Sequence, residues 1–205
     1  MKGFFLFALY LRKVIGYVWA KTSNLIVLRT SNIIYPPSFV INGNLSIIGK
    51  GKIKVGNNVI INSGIKKNPV GLATKTILFC YPNATISMGN NIGISNSLLC
   101  AMNSIIIEDN VRIGGGTQIL DNDFHSLYLP QRLSNPDPDI KSKPVLIKAG
   151  AFIGCNSIIL KGVTIGERSV IAAGSVVTKS IPADEIWGGN PAHFIKSLLT
   201  DERNR

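Results

Sequence analysis

A six-residue period between residues 147 and 177 is the feature that most constrains how this chain can fold. Large aliphatic residues recur at every sixth position, at Ile147, Ile153, Ile159, Ile165, Ile171 and Val177. The residue two positions before each later member is mostly small, at Ala151, Ser157, Val163, Ser169 and Ser175. Because side chains two apart on a strand point to the same side, each unit directs one small and one large residue at a common interior.

A second regularity marks where each unit turns. The third position after each large residue holds Gly150, Asn156, Gly162, Arg168 and Gly174, and earlier units place Asn58, Gly64, Asn91, Asn110 and Gly116 there, with Ser97 as the exception. Glycine and asparagine tolerate a left-handed backbone, so each unit is expected to end in a sharp corner. A short strand followed by a corner, repeated many times, predicts a β-helix whose coils stack on one another.

Two segments carry a resemblance to a known family. The run IGCNSIILKGVTIGERSVIAAGSVVTKSIP and the later WGGNPAHFIK resemble the hexapeptide-repeat left-handed β-helix acyltransferases, and their ending resembles the sugar O-acetyltransferase branch. The similarity extends from about Val55 to Lys196. It implies a left-handed parallel β-helix with three units in each coil, acyl transfer from a coenzyme A thioester, and assembly as a homotrimer.

The remaining segments complete the predicted organisation. Residues 1–21 are expected to form an apolar helix, with one face made by Phe4, Phe7, Ala8, Leu11, Val14, Ile15 and Val18. The β-helix is predicted over 22–187, interrupted by a Pro- and Asp-rich active-site loop at 120–146. Asn190 and Pro191 are typical of a helix start, so 188–205 is predicted to be a short helix, ending near residue 199, followed by a tail.

The charge of the chain is unevenly distributed. Residues 1–107 contain eleven Lys or Arg and no Asp or Glu, whereas residues 108–205 contain eleven of each, so the net +11 comes from the first half. This asymmetry indicates an anionic partner, for which an anionic membrane surface is one hypothesis and a solubilising surface is the alternative. Nucleic acid is not expected, because no binding motif accompanies the charge. The expected location is cytoplasmic, with peripheral contact to the inner face of the membrane.

Cysteine and histidine usage gives no indication of a metal site. The three cysteines, Cys80, Cys100 and Cys155, are odd in number and lack close ligand spacing, which fits a reducing compartment. The β-helical carbonic anhydrases use three histidines around zinc, and this chain has two in total. No metal cofactor is therefore expected.

One of the two histidines is the main candidate for catalysis. His125 lies in the interrupting loop, in a segment, DNDFHS, that resembles the catalytic segment of the family. A hydroxyl becomes a good nucleophile when a base removes its proton, and imidazole can do so near neutral pH. A carboxylate can orient such a ring, and Asp123 and Asp121 are both available; their spacing does not choose between them.

The resemblance also implies binding residues, carried over position by position. It places an aromatic beside the thioester arm at Phe152, a backbone N–H facing the thioester at Cys155, and main-chain contact with pantetheine at Ala173. Positions near the phosphates and adenine are implied at Thr178, Lys179 and Lys196. Asn96 and Ser95 fall near a segment that contacts the acceptor in sugar acetyltransferases.

The predicted function is acetyl-CoA-dependent O-acetylation of a sugar hydroxyl, within surface polysaccharide biosynthesis. The saccharide acceptor and a second and third copy of the chain are the expected partners, and acetyl-CoA is the co-substrate. N-acetylation of an amino sugar, free or nucleotide-linked, is the nearest alternative. A non-catalytic β-helical scaffold is the alternative from another class of protein.

Overall fold

The computed structural model describes residues 2–70 and 75–199 of the chain. Residues 200–205 of the predicted tail lie outside the described residues, and so do the side chains of Phe4 and Ala8 from the predicted helical face. Among the described residues, no helix has the length and apolar character needed to cross a membrane.

The described residues form a left-handed parallel β-helix of three sheets, with one strand of each sheet contributed by each coil. Sheet A contains β1 (Ile33–Ile34), β4 (Lys52–Val55), β7 (Thr85–Met88), β10 (Ser104–Ile107), β13 (Val145–Ile147) and β16 (Thr164–Ile165). Sheet B contains β2 (Val40–Gly43), β5 (Ile60–Ser63), β8 (Gly93–Ser95), β11 (Arg112–Ile113), β14 (Phe152–Ile153), β17 (Val170–Ile171), β19 (Glu185–Gly188) and β20 (His193–Ser197). Sheet C contains β3 (Ser46–Ile48), β6 (Ile77–Cys80), β9 (Leu98–Ala101), β12 (Gln118–Leu120), β15 (Ile158–Ile159) and β18 (Val176–Val177). The predicted fold class is confirmed.

The aliphatic ladder of the sequence becomes the core. Each of its six members, from Ile147 to Val177, is fully buried. Strand register places equivalent residues of successive coils directly above one another, as where Ile107 pairs with Ile147 and Ile147 with Ile165. Stacking identical branched side chains in columns buries apolar surface continuously along the axis, which is the main favourable contribution to such a fold.

The predicted corners adopt the left-handed backbone. All five corner residues of the 147–177 block have positive φ, from +57° at Arg168 to +76° at Gly162. At the one earlier unit where serine occupies the expected position, the left-handed residue is Asn96, with φ +42°, instead of Ser97. The corner therefore moves by one residue to the asparagine, because a left-handed backbone costs asparagine less than serine.

The amino-terminal helix is longer than predicted. Helix α1 spans Lys2–Thr30, so residues 22–30, assigned above to the β-helix, are helical and the first coil begins at β1. The β-branched run at Ile26 and Val27 favoured a strand, but packing of the last turns against β2 and β3 overrides that local preference. Thr22 and Thr30 also satisfy their hydroxyls by donating to carbonyls four residues earlier.

The predicted carboxy-terminal helix is wrong. Residues His193–Ser197 form β20, which pairs antiparallel with β19 at the open end of sheet B. An exposed strand edge at the end of a β-helix needs a cover, and β20 supplies one. The Trp187 and Phe194 rings meet edge-on at 6.3 Å between centroids, and the Ala192 N–H donates to Val176 O at 2.8 Å. These tertiary contacts override the helix-start signal of Asn190 and Pro191.

Candidate active site

At the corner between sheets B and C, successive coils are closely stacked. Gly114, Gly154 and Ala172 begin this corner in three successive coils. A Cβ atom added to Gly114 would lie 2.6 Å from Cys155 N, and one added to Gly154 would lie 2.5 Å from Ala173 N. Glycine is therefore required at both positions for neighbouring coils to stack.

Buried hydroxyls hold the inner side of this corner. Thr117 Oγ1 donates to Gly154 O at 3.2 Å, and Ser157 Oγ and Ser175 Oγ donate to Ala172 O at 3.2 and 2.6 Å. These hydroxyls occupy the small positions of the six-residue repeat, so the repeat itself fixes the corner. Because these hydroxyls bind the corner carbonyls inside the coil, the main-chain N–H groups of the corner can point to the outer surface.

Cys155 and Ala173 lie on the outer side of the same corner, one coil apart. Within residues 2–70 and 75–199, no oxygen accepts a hydrogen bond from the N–H of Cys155 or of Ala173. Phe152 is on the adjoining strand β14, with its side chain 47% exposed. The structure thus brings together three of the six predicted coenzyme residues.

The other three lie elsewhere on the coil. Thr178 and Lys179 are exposed at the corner between sheets C and A, directly after β18. Lys196 lies on β20, opposite Ile186, at the end of sheet B. A ligand that contacted all six residues would have to extend from the sheet B–C corner toward the carboxy-terminal end of the coil.

A cleft of about 490 Å³ lies on the outer face of sheet B beside Phe152. Its lining includes Asn62, Ser95, Arg112, Gly114 and Phe152. Gly93, Arg112 and Phe152 stand on neighbouring strands in register, and the absence of a side chain at Gly93 leaves room above the Arg112 stem. Ser95, predicted to contact the acceptor, and Phe152, predicted to contact the donor, therefore share one concave surface.

The polar groups of the second predicted acceptor residue, Asn96, are not available to a ligand in this cleft. It is 1% exposed, its Oδ1 accepts the Gly64 N–H at 2.7 Å, and its amide donates to Asn68 O. Both ends of the side chain are engaged in holding the 64–68 turn on the coil. Asn96 is therefore placed as a structural residue.

The inserted loop leaves the coil after β12 and returns before β13, and two short contacts close its base. The Asp123 N–H donates to Lys141 O at 3.0 Å, and the Lys143 N–H donates to Asp121 O at 2.8 Å. Between these points the loop includes the short helix α2 (Leu129–Arg132). The loop base is thus a paired stem at the corner between sheets C and A.

Neither carboxylate proposed to orient His125 is paired with it. Asp121 is fully buried and accepts the N–H groups of Met102 and Asn103, each at 2.7 Å, which ties the loop base to the coil below. Asp123 forms an ion pair with Lys161 of the coil above. The sequence placed these acids correctly beside the histidine along the chain, but the fold turns both toward the coil.

The acid near the imidazole is Asp137. His125 Nδ1 lies 3.7 Å from Asp137 Oδ2, and the imidazole is 70% exposed while the carboxylate is 8% exposed. Asp137 Oδ2 also accepts the Ser126 N–H at 2.7 Å, which fixes the carboxylate beside the ring. Phe124, just before His125, has φ +63° and donates its N–H to Asn122 Oδ1, so the backbone turns sharply to present the imidazole outward.

Sequence reasoning missed Asp137 because the loop has no period from which contacts could be deduced. It also missed Arg112, whose guanidinium lies in the cleft and donates to the carbonyls of Asn91 and Val111. Two of the three cysteines, Cys80 and Cys100, are buried. Burial raises the pKa of the Cys80 thiol to about 11 and also raises the pKa of Cys100.

A stacked coil with this six-residue repeat defines the class of the protein as a hexapeptide-repeat β-helix. Residues 144–179 match the family model described as bacterial transferase hexapeptide (six repeats). The chain thus carries the repeat of the hexapeptide transferases, and acetyltransferases are among its relatives.

Galactoside O-acetyltransferase of Escherichia coli (strain K12) is 33% identical over 123 residues, which are 57% of this chain and 59% of that protein. The mitochondrial gamma carbonic anhydrase 2 of Arabidopsis thaliana is 28% identical over 141 residues, which are 61% of this chain and 50% of that protein. The chain therefore spans only about half the length of the curated relatives it matches.

Among solved structures, a variant of AntD, an N-acyltransferase from Bacillus cereus in complex with dTDP and coenzyme A, is similar with a TM-score of 0.61. It is 27% identical, and the match covers 81% of this chain and 89% of that chain.

Proposed function

We propose that this chain is an acetyl-CoA-dependent acetyltransferase that acts on a saccharide hydroxyl in surface polysaccharide biosynthesis. The observation that carries the proposal is the sheet B–C corner, where stacked coils expose the Cys155 and Ala173 N–H groups beside Phe152. A preorganised N–H aimed at a thioester oxygen stabilises the charge that develops there during acyl transfer. The likeness to the AntD variant, whose structure contains coenzyme A, supports coenzyme A as the carrier of the acyl group.

The chemistry follows from His125 and Cys155. The His125 imidazole removes the proton from the acceptor hydroxyl as its oxygen attacks the thioester carbonyl carbon. The Cys155 N–H donates to the carbonyl oxygen while it carries negative charge. The C–S bond then breaks, the acetyl group stays on the acceptor oxygen, and the imidazolium returns its proton to the coenzyme A sulfur. Asp137, beside Nδ1, is the positioning residue for the ring.

In a single copy of the chain, His125 and Cys155 belong to different corners of the coil. His125 belongs to the loop at the corner between sheets C and A, whereas Cys155 lies at the corner between sheets B and C. Sheet C separates them, and four to five residues of extended chain span on the order of 15 Å. The proposal therefore includes a homotrimer, in which His125 of one copy acts at the corner of its neighbour.

The outer face of sheet C supports this assembly. Its outward side chains are mostly apolar and only partly buried, and the group comprises Ile77, Phe79, Leu98, Leu120, Ile158, Leu160 and Val176. Phe79 and Tyr81 stack with ring centroids 4.5 Å apart. A continuous apolar face of this kind is suited to contact with another copy.

A second candidate is N-acetylation of an amino sugar, favoured by the likeness to an N-acyltransferase whose complex contains dTDP. The two candidate reactions differ in the acceptor group, which is an amine in one and a hydroxyl in the other. An amine needs less help from a base than a hydroxyl does. Zinc-dependent hydration is not proposed in spite of the carbonic anhydrase relatives, because the chain supplies two histidines where that site uses three. Use of acetyl-CoA and a cysteine content that fits a reducing compartment support a cytoplasmic location.

The test of activity measures coenzyme A release from acetyl-CoA with panels of neutral sugars, amino sugars and nucleotide-linked sugars, and analyses the products by mass spectrometry. O-acetylated sugar supports the proposal, and N-acetylated product supports the second candidate. If no acceptor in any panel gives an acetylated product, the result would favour the scaffold alternative, whether or not the chain binds acetyl-CoA.

The test of the shared site mixes two inactive variants, His125→Ala and Ala173→Trp, the latter chosen to block the exposed corner. Random mixing of subunits in a trimer restores about one site in four if the histidine and the corner come from different copies. If both groups belonged to one copy, mixing would restore nothing. Sedimentation of a stable monomer at assay concentration would equally contradict the shared site.

A further inference from the structure

Helix α1 exposes an unusual amount of apolar surface. Every described side chain from Leu6 to Trp19 is exposed. The helix is held to the coil near its other end, where Asn24 is buried, donates to Gly43 O at 2.7 Å and accepts the Leu45 N–H at 3.0 Å. The coil of this copy therefore does not cover the first half of α1, and a binding partner for that surface must come from outside it.

Apolar residues are exposed on most sides of α1, including Leu6 and Leu9, and four of them are grouped on one side. At 100° per residue, Phe7, Leu11, Val14 and Val18 fall within an arc of about 60°. Their exposed fractions are 61%, 46%, 39% and 55%. Together we name these four residues the apolar face. Arg12 and Lys13 each lie about 130° from the centre of this face, on its two opposite flanks.

Aromatic residues border the apolar face. Tyr10 and Tyr17 lie on one side of it and Trp19 on the other, with exposed fractions of 65%, 58% and 69%. Tyrosine and tryptophan favour the boundary between lipid headgroups and acyl chains, because each has an apolar body and a polar group. Basic and aromatic residues on the flanks of an apolar face suit a helix that lies in the plane of a membrane surface.

We propose that α1 binds an anionic lipid bilayer, inserting the apolar face among the acyl chains while Arg12 and Lys13 contact the phosphates. Burying these two adjacent cations at the centre of a bilayer would be costly, whereas long basic side chains on a surface-bound helix reach the headgroups. The exposed Lys50, Lys52 and Lys54 of the first coils add cations at the same end of the molecule. This inference is independent of the proposed acetyl transfer.

The charge distribution favours lipid over another copy of α1 as the occupant. The first 107 residues contain no acidic side chain. Helices from several copies packed together would bring Arg12, Lys13 and Lys21 close to one another with no carboxylate of the amino-terminal half to compensate. Anionic headgroups supply that compensation directly, and the attraction weakens with salt.

The experiment is co-sedimentation of the full chain with phosphatidylcholine vesicles, with and without phosphatidylglycerol. Binding should be strong only with phosphatidylglycerol and should fall as salt rises. Val14→Asp combined with Val18→Asp should weaken binding by about tenfold or more, because it places charge in the apolar face. Gly16→Asp is the control for position, since it adds one negative charge, against two in the double variant, on the opposite side of the helix, where an added Cβ meets nothing within 4 Å. Gly16→Asp should weaken vesicle binding by less than about threefold.

A second readout reports where the helix lies. The chain has two tryptophans, so Trp187→Phe leaves Trp19 as the single tryptophan, whose emission can be excited selectively. Its emission should shift to shorter wavelength on addition of anionic vesicles. Equal binding to neutral and anionic vesicles, binding by the double variant equal to that of Gly16→Asp, or no binding at all would each overturn the proposal. So would a lower sedimentation coefficient of the double variant without vesicles, because the face would then be covered by another copy.

Discussion

The two carboxylates of the DND segment offer the clearest test of how the active-site loop is held. Asp121→Asn replaces a buried carboxylate that accepts two N–H groups at 2.7 Å. The asparagine keeps one acceptor oxygen and turns an amide NH₂ toward the other N–H, so one charged hydrogen bond is lost and the second becomes neutral. Hydrogen bonds to charged groups contribute about 1.5–3 kcal/mol each, so the free energy of unfolding should fall by about 2–4 kcal/mol.

Asp123→Asn is the matched control, two residues away in the same loop base. Its ion pair with Lys161 is partly exposed on both sides, at 19% and 27% of the two side chains. Exposed pairs of this kind contribute about 0–1 kcal/mol, so this variant should unfold close to the native midpoint. The assay is guanidinium denaturation followed by circular dichroism, with turnover measured on the folded fraction.

Equal unfolding midpoints for the two variants, with turnover lost in Asp121→Asn alone, would contradict this expectation. That outcome would mean that Asp121 serves the imidazole and that the loop contacts rearrange in the working enzyme.

Three further predictions concern the donor site, the loop and a corner. Lys179→Ala and Lys196→Ala should chiefly raise KM for acetyl-CoA, because phosphates remote from the thioester contribute binding that changes little along the reaction; equal losses with a donor lacking the nucleotide would count against this. Asp137→Asn should lower kcat while leaving KM for acetyl-CoA nearly unchanged, and unchanged kcat would remove its positioning role. The Arg168 guanidinium, by hydrogen bonding, lowers the pKa of Asp184 below its ordinary 3.8. Because the folded-state pKa is depressed, the stability that Asp184 contributes is present above its ordinary pKa and is lost as pH falls through the lowered value. The difference in unfolding midpoint between the native chain and Asp184→Asn should therefore be constant at neutral pH and shrink below about pH 4, and a difference that grows in acid would contradict the assignment.

The sequence predicted the coil well because one local rule repeats. Each unit from Ile147 to Val177 needs an inward aliphatic residue and a left-handed corner. Both requirements can be inferred from the six residues of the unit alone. Even Arg168, an unfavourable residue for a corner, follows the period, and its side chain compensates by binding Asp184 bidentately. Near Asn96 the period shifts by one residue, and the observed corner there lies one residue from the position that the period predicts.

The parts that escaped prediction depend on contacts between distant segments. The end of α1 is set by Asn24 bonding to Gly43 and Leu45, and β20 by the open edge of sheet B. In the loop, position in sequence favoured Asp121 and Asp123 as partners of His125, but each is drawn to a neighbouring coil. Asp137 lies twelve positions beyond the histidine and becomes its neighbour only when the loop folds back.

The most direct test of the account is the turnover of His125→Ala with both substrates saturating, compared with His193→Ala, the variant of the other histidine in the chain. A positioned general base contributes about 10²–10⁴-fold, so His125→Ala should lose that much in kcat while its affinity for acetyl-CoA stays nearly native. His193→Ala should keep most of its turnover. Near-native kcat for His125→Ala, together with a large loss for His193→Ala, would contradict the mechanism.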